Sequence, residues 1–156
     1  MYENIATLAE YFKLGVETET IEPNQAKRWA DRVIEEAAQP SGDIVDVALS
    51  RDVSQLLQAL SEVAGDRNKQ MAARWLIGTL VIQLEGMRES EEVIRAAKHA
   101  ITSSGMDESL YWELCSIQGI LEMAELGYYG NTAEAIGSLK QFLLSEALTP
   151  LLQGSE

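Results

Sequence analysis

Histidine and cysteine carry most proton transfer and nucleophilic attack near neutral pH. This sequence holds one of each, His99 and Cys115. Both fall inside helical periodicities, on the sixth and seventh segments described below. A Cys–His dyad would need those two helices to pack at one level; the plainer assignment is a small core cysteine and a half-exposed histidine. One thiol cannot form an intramolecular disulfide, and one thiol with one imidazole cannot build the usual zinc site. The spacing Glu122-x-x-Glu125 puts two carboxylates on one helix face, which suits a hard cation or an acid–base pair, although a solvated acidic face is the commoner outcome. Ala96 stands three residues before His99, so the Glu-x-x-His pair of di-iron bundles is missing. There is no phosphate-cradling glycine loop, no Gly-x-Ser-x-Gly and no His-Glu-x-x-His. The chemistry-bearing residues thus point away from catalysis. No catalytic residue, metal site or cofactor is expected.

Charge is more informative. The chain of 156 residues has 25 acidic and 12 basic side chains, a net charge of −13. Binding to DNA, RNA or anionic membranes rests on lysine and arginine, so those partners are not expected. Hydrophobic residues make up 46% and charged residues 24%, the composition of a globular chain and not of a disordered one. Residues 1–50 carry −6, residues 51–104 are neutral, and residues 105–156 carry −7 with Lys140 as their one base. Negative charge is concentrated in the two ends of the chain.

The elements that must position these groups are helices. Apolar residues recur every three and four positions almost throughout, with no run of alternating β-branched residues. The spacing predicts about eight helices: Tyr2 to Leu14, ended by Gly15; Pro23 to Gln39-Pro40, with Trp29 on its apolar stripe; a short one capped by Ser41, burying Ile44, Val47, Ala48 and Leu49; Asp52 to Ala64, burying Val53, Leu56, Leu57, Leu60 and Val63; Asn68 to Leu84; Ser90 to Thr102, followed by a Ser103-Ser104-Gly105 loop; Asp107 to Leu126, with Leu110, Leu114, Ile117, Leu121 and Ala124 inward; and one capped by Asn131, burying Ile136, Leu139, Phe142 and Leu143. The fifth has no charge from Trp75 to Leu84 and should be covered on most sides, with Gly78 admitting a second helix closely. That stretch is half the length needed to cross a bilayer. The expected architecture is all-α, one domain over 1–156, a bundle or short stack of about eight helices, with 149–156 a weakly ordered tail. The start, Met1-Tyr2-Glu3-Asn4, is acidic where a secretory signal is basic, so a cytoplasmic location is expected.

Aromatic residues lie close to the carboxylates of the C-terminal third. Tyr111 and Trp112 follow Asp107 and Glu108; Tyr128 and Tyr129 follow Glu122 and Glu125. Adjacent helical residues diverge by about 100°, so Leu110, Tyr111 and Trp112 cannot all be buried. Rings among like charges suit a protein interface, where aromatics anchor and carboxylates steer a basic partner. Glu108, Trp112, Glu122, Glu125, Tyr128 and Tyr129 are therefore the candidate partner contacts. A weaker candidate is Trp29 with Asp31, Glu35, Glu36, Asp43 and Asp46, where the tryptophan reads better as core.

The stretch Ile21-Glu22-Pro23-Asn24-Gln25-Ala26-x-x-Trp29-Ala30-Asp31-x-x-Ile34 followed by Ala48-Leu49-Ser50, and Glu125-Leu126-Gly127-Tyr128-Tyr129-Gly130 before a helix ending Phe142-Leu143, resemble small, acidic, all-helical bacterial proteins of the toxin-immunity type. The resemblance implies a helical fold and a function exercised by binding; it carries over no functional residue. With the charge pattern, it leads to the expectation of an immunity-type protein that neutralises a basic, nuclease-like toxin domain without chemistry of its own. The alternative is an adaptor or secretion chaperone holding an amphipathic client segment in an apolar groove. A carboxylate-only enzyme or metal-binding bundle ranks last.

Overall fold

A computed structural model describes residues 5–128 and 130–149. Among them are eight helices and no strand, as the periodicity predicts. The chain groups into two compact units, the second running from residue 73 to 149.

The first unit holds α1 (Ile5–Glu17), α2 (Pro23–Glu36), α3 (Gly42–Ala48), α4 (Val53–Ser61) and the first residues of α5 (Lys69–Glu85). α2 packs on α3, α3 on α4 and α4 on α1. Pro23 opens α2, where its missing N–H costs no hydrogen bond, and the Gln25 side chain reaches back to accept from the Glu22 N–H at 2.9 Å. Trp29 is fully buried and stacks on Phe12 at 5.0 Å, and Tyr11 meets Phe12 edge-on. The Trp29 indole N–H finds no acceptor among the described residues, so this ring is placed for bulk and stacking. The buried Glu10 carboxylate accepts from Arg67 at 2.7 Å, and the same guanidinium donates to the Leu60 and Val63 carbonyls where α4 ends. Lys27 closes the end of α3 through the Ser50 carbonyl at 2.8 Å.

The second unit holds the rest of α5, α6 (Ser90–Ser104), α7 (Glu108–Glu125) and α8 (Thr132–Glu146), with α6 on α7 and α7 on α8. Asn131 caps α8 by accepting from the Ala133 and Glu134 N–H groups. Ile77, Leu80, Ile94, Ile101, Leu114 and Leu143 are fully or almost fully buried.

Several boundaries differ from expectation. Gly15 does not end α1, which continues to Glu17. Its missing side chain lets Ile21 close onto the helix while its carbonyl accepts from Thr20 and Ile21. Tyr2 to Asn4, placed in this helix by sequence, lie outside the described residues. α2 stops at Glu36, before Gln39-Pro40, and α4 at Ser61, where Arg67 takes up the Leu60 carbonyl and, just beyond the helix, that of Val63. Leu49 and Val53, expected inside, are exposed; each sits at a helix end, beyond the turn that its stripe buries. Ser103 and Ser104 belong to α6, because the left-handed stop is Gly105 itself, at φ 74°. α5 is buried over a wide arc, yet Ile82 faces out. What Gly78 admits is the chain after α8, not a helix: a Cβ there would collide with the Leu148 carbonyl. Leu148 also donates its N–H to the Arg74 carbonyl at 3.1 Å, and Arg74 pairs with Glu146 at 2.7 Å. Of the tail expected at 149–156, residues 150–156 lie outside the described residues.

Candidate protein-interaction surface

Two helix ends set α7 in place. Gly105 terminates α6 and the buried Met106 donates its N–H to the Ile101 carbonyl, so the chain turns tightly. Asp107 then caps α7 by accepting from the Ser109 N–H at 2.9 Å. Bonds from the Ser109 N–H and hydroxyl hold the Asp107 carboxyl below the usual aspartate range. At the other end Gly127, at φ 78°, donates to the Ala124 carbonyl and Tyr128 to the Met123 carbonyl. This paired closure fixes the Tyr128 backbone over the last turn of α7.

The first turn of α7 brings two expected contacts together. The Trp112 indole N–H donates to the Glu108 carboxylate at 3.2 Å, holding a ring that is 58% exposed. Trp112 also meets Tyr111 edge-on at 5.1 Å. Tyr111 is half-buried, with the Lys98 ammonium 5.4 Å from its ring centre. Lys98 donates to Gln118 at 2.6 Å. Beside these rings lies an open hollow of about 370 Å³, lined by Ile101, Thr102, Met106, Glu108, Tyr111 and Trp112.

Glu122, Glu125 and Tyr128 are exposed at the far end of the same helix. Ten residues separate Trp112 from Glu122, a rise of about 15 Å, so the candidates form two clusters. At about 100° per residue, Glu125 is rotated about 140° from Trp112 and points to a different side. Tyr129 lies outside the described residues. Trp29 is core, so the weaker acidic patch has no ring. In that patch Asp43 serves the fold. Burial pushes its carboxyl up, but bonds from the Ser41 hydroxyl and the Ala64 and Ile44 N–H groups outweigh that and hold it below the usual range.

Among the described residues, Glu108, Glu113, Glu122 and Glu125 make no ion pair. Lys140, the one base of the C-terminal third, is bound to Glu85 at 2.6 Å. Glu122 and Glu125 also occupy the last turn of α7, where the helix dipole disfavours negative charge by about 0.3–1 kcal/mol each. Helix stability therefore does not account for them, whereas Asp107 and Glu108 at the N-terminus are explained by capping and by the dipole.

Sequence reasoning missed a further set of residues. Ile120, Met123 and Leu126 are exposed, and with Trp112 they share one outward face of α7. The signal was available: they recur at helical spacing on the side opposite Leu114, Ile117 and Leu121, so this helix is apolar on two faces. His99 and Cys115 are both half-buried; the imidazole Nε2 lies 3.4 Å from the Ser103 hydroxyl on its own helix. Among the described residues no three His, Cys, Asp or Glu side chains gather as a metal site would require, and no helix is long and apolar enough to cross a membrane.

No protein-family model matches the chain, and neither a curated protein nor a solved structure is significantly similar to it.

Proposed function

We propose that this protein is an immunity-type binder that neutralises a cognate basic toxin domain in the cytoplasm, by occupying its surface and without a catalytic step or cofactor of its own. The observation that carries the reading is that exposed rings, Trp112 and Tyr128, stand on or next to α7, whose carboxylates Glu108, Glu113, Glu122 and Glu125 have no cation partner among the described residues. Nuclease domains that bind phosphate are cationic around their active sites, and unpaired carboxylates raise the encounter rate with such a surface by long-range attraction. A held indole loses little side-chain freedom on binding, so Trp112 suits an anchor. The test is the reading frame beside the gene. Its product should arrest growth when expressed alone, and co-expression of this protein should restore growth. Association should slow strongly between about 50 mM and about 0.5 M salt. A harmless neighbouring product, or rescue unaffected by Trp112→Ala, would overturn the reading.

One observation favours the adaptor as a second reading: the hollow beside Trp112, with Ile101, Met106 and Tyr111 in its wall, can take an apolar side chain of an amphipathic client. An adaptor captures several unrelated clients, an immunity protein one cationic partner.

A further inference from the structure

The outward face of α7 is unusual in both shape and charge. Trp112, Ile120, Met123 and Leu126 are all exposed and lie within an arc of about 120° along about 21 Å of helix. Between them are Ser116 and Gly119, and nothing stands within 4 Å of where a Gly119 side chain would begin. The result is an apolar strip with a low middle, raised at one end by Trp112 and followed at the other by Tyr128, whose backbone is fixed to the Met123 carbonyl. Glu113 borders the strip on one side, Glu122 on the other, and Glu108 stands at its start. A second copy of this chain fits poorly, because a two-fold contact between α7 helices would bring two acidic faces together with no lysine or arginine on either helix.

We propose that this face docks a basic amphipathic helix of the partner, its apolar side lying along Trp112, Ile120, Met123 and Leu126 and its lysines or arginines meeting Glu108, Glu113 and Glu122. The four-turn length of the strip matches an ordinary helix, the low middle admits its closest approach, and the hollow beside Trp112 receives a side chain from its end. The inference rests on the reading above only in taking the partner to be cationic.

The experiment uses the full chain and two synthetic peptides of about 15 residues, both built of leucine and lysine. One places leucines at i, i+3, i+4 and i+7; the other has the same composition in an order that gives no apolar face. Trp29 and Trp75 are buried, so acrylamide quenching reads Trp112. The amphipathic peptide should protect Trp112 and shift its emission to the blue, and the scrambled one should not. Ile120→Ser with Met123→Ser should weaken this association about tenfold, and Glu113→Gln with Glu122→Gln about threefold at low salt. Glu35→Gln, exposed on α2 and outside this face, should leave it unchanged. Every substituted residue is exposed, and circular dichroism checks that each variant folds. Equal protection by both peptides would overturn the proposal, as would undiminished binding by the Ile120/Met123 variant. A dimer of the free protein that this variant dissolves would overturn it in favour of a second copy. Growth rescue without peptide protection would sink the docked helix alone; protection without rescue would sink the toxin reading alone.

Discussion

The two acidic ends of this chain carry nearly the same charge, −6 over residues 1–50 and −7 over residues 105–156, and differ in where they put their rings. In the first, Glu10 is buried against Arg67, Asp43 gathers N–H groups from α3 and from the chain after α4, and Tyr11, Phe12 and Trp29 form one buried ring cluster. In the last, Glu113, Glu122 and Glu125 are exposed and unpaired among the described residues, and Trp112 and Tyr128 face out. Net charge alone does not mark a binding surface. What separates the two regions is cover for the rings: among the described residues each has one acid in an ion pair, Glu10 with Arg67 and Glu146 with Arg74, but Trp29 is core and Trp112 is not.

Six substitutions, in four tests, can break or sharpen that contrast. The largest effect belongs to the tryptophans: Trp29→Ala should cost about 3–5 kcal/mol in urea unfolding, whereas Trp112→Ala should fall within about 0.5 kcal/mol of the parent. Equal losses would erase the distinction between a core ring and a surface ring. Next, Glu10→Gln should destabilise by about 3 kcal/mol, because it leaves a largely buried guanidinium without its counter-charge. A loss below about 0.5 kcal/mol would show that this acid is as solvated as those of α7.

Asp43→Asn should cost about 1–2 kcal/mol at neutral pH, measured by thermal or urea unfolding. The Asp43 carboxyl titrates below its unfolded value, so its contribution is present above the ordinary aspartate pKa of about 3.9. It is lost as pH falls through the depressed folded value. Parent and variant should therefore converge in strong acid, and a gap that stays constant down to pH about 2 would refute the assignment. The smallest effect has the opposite sign. Glu122→Gln with Glu125→Gln should stabilise the protein by about 0.5 kcal/mol, since it removes negative charge from a helix C-terminus, and should slow association with a cationic partner. A loss of stability would mean that these acids serve the fold after all.

The helices were legible because each is a local event. Pro23, Asp52, Asp107 and Asn131 signal starts and Gly105 and Gly127 signal stops within a few residues of where they act. Exposure of one member of the Leu110–Trp112 run was legible for the same reason. Leu49 and Val53 were not, because burial at a helix end depends on how far the neighbouring helix extends. The role of Gly78 was hidden because its neighbour in space is seventy residues further along the chain. The outer face of α7 escaped notice because an apolar residue reads as core unless its angle around the helix is compared with that of the stripe already assigned. Glu125, grouped with Trp112 by nearness in sequence, is separated from it by the same angle.

The meeting of Gly78 with Leu148 joins main chain to main chain. It therefore imposes unequal constraints on its two members. Position 148 contributes a carbonyl and an amide that almost any residue owns, so its identity can drift over generations. Position 78 must have no side chain at all. Descendants of this gene should keep glycine at 78 long after the residue at 148 has changed, and a lineage that gains alanine at 78 should be one in which the strand of chain leaving α8 has taken another course.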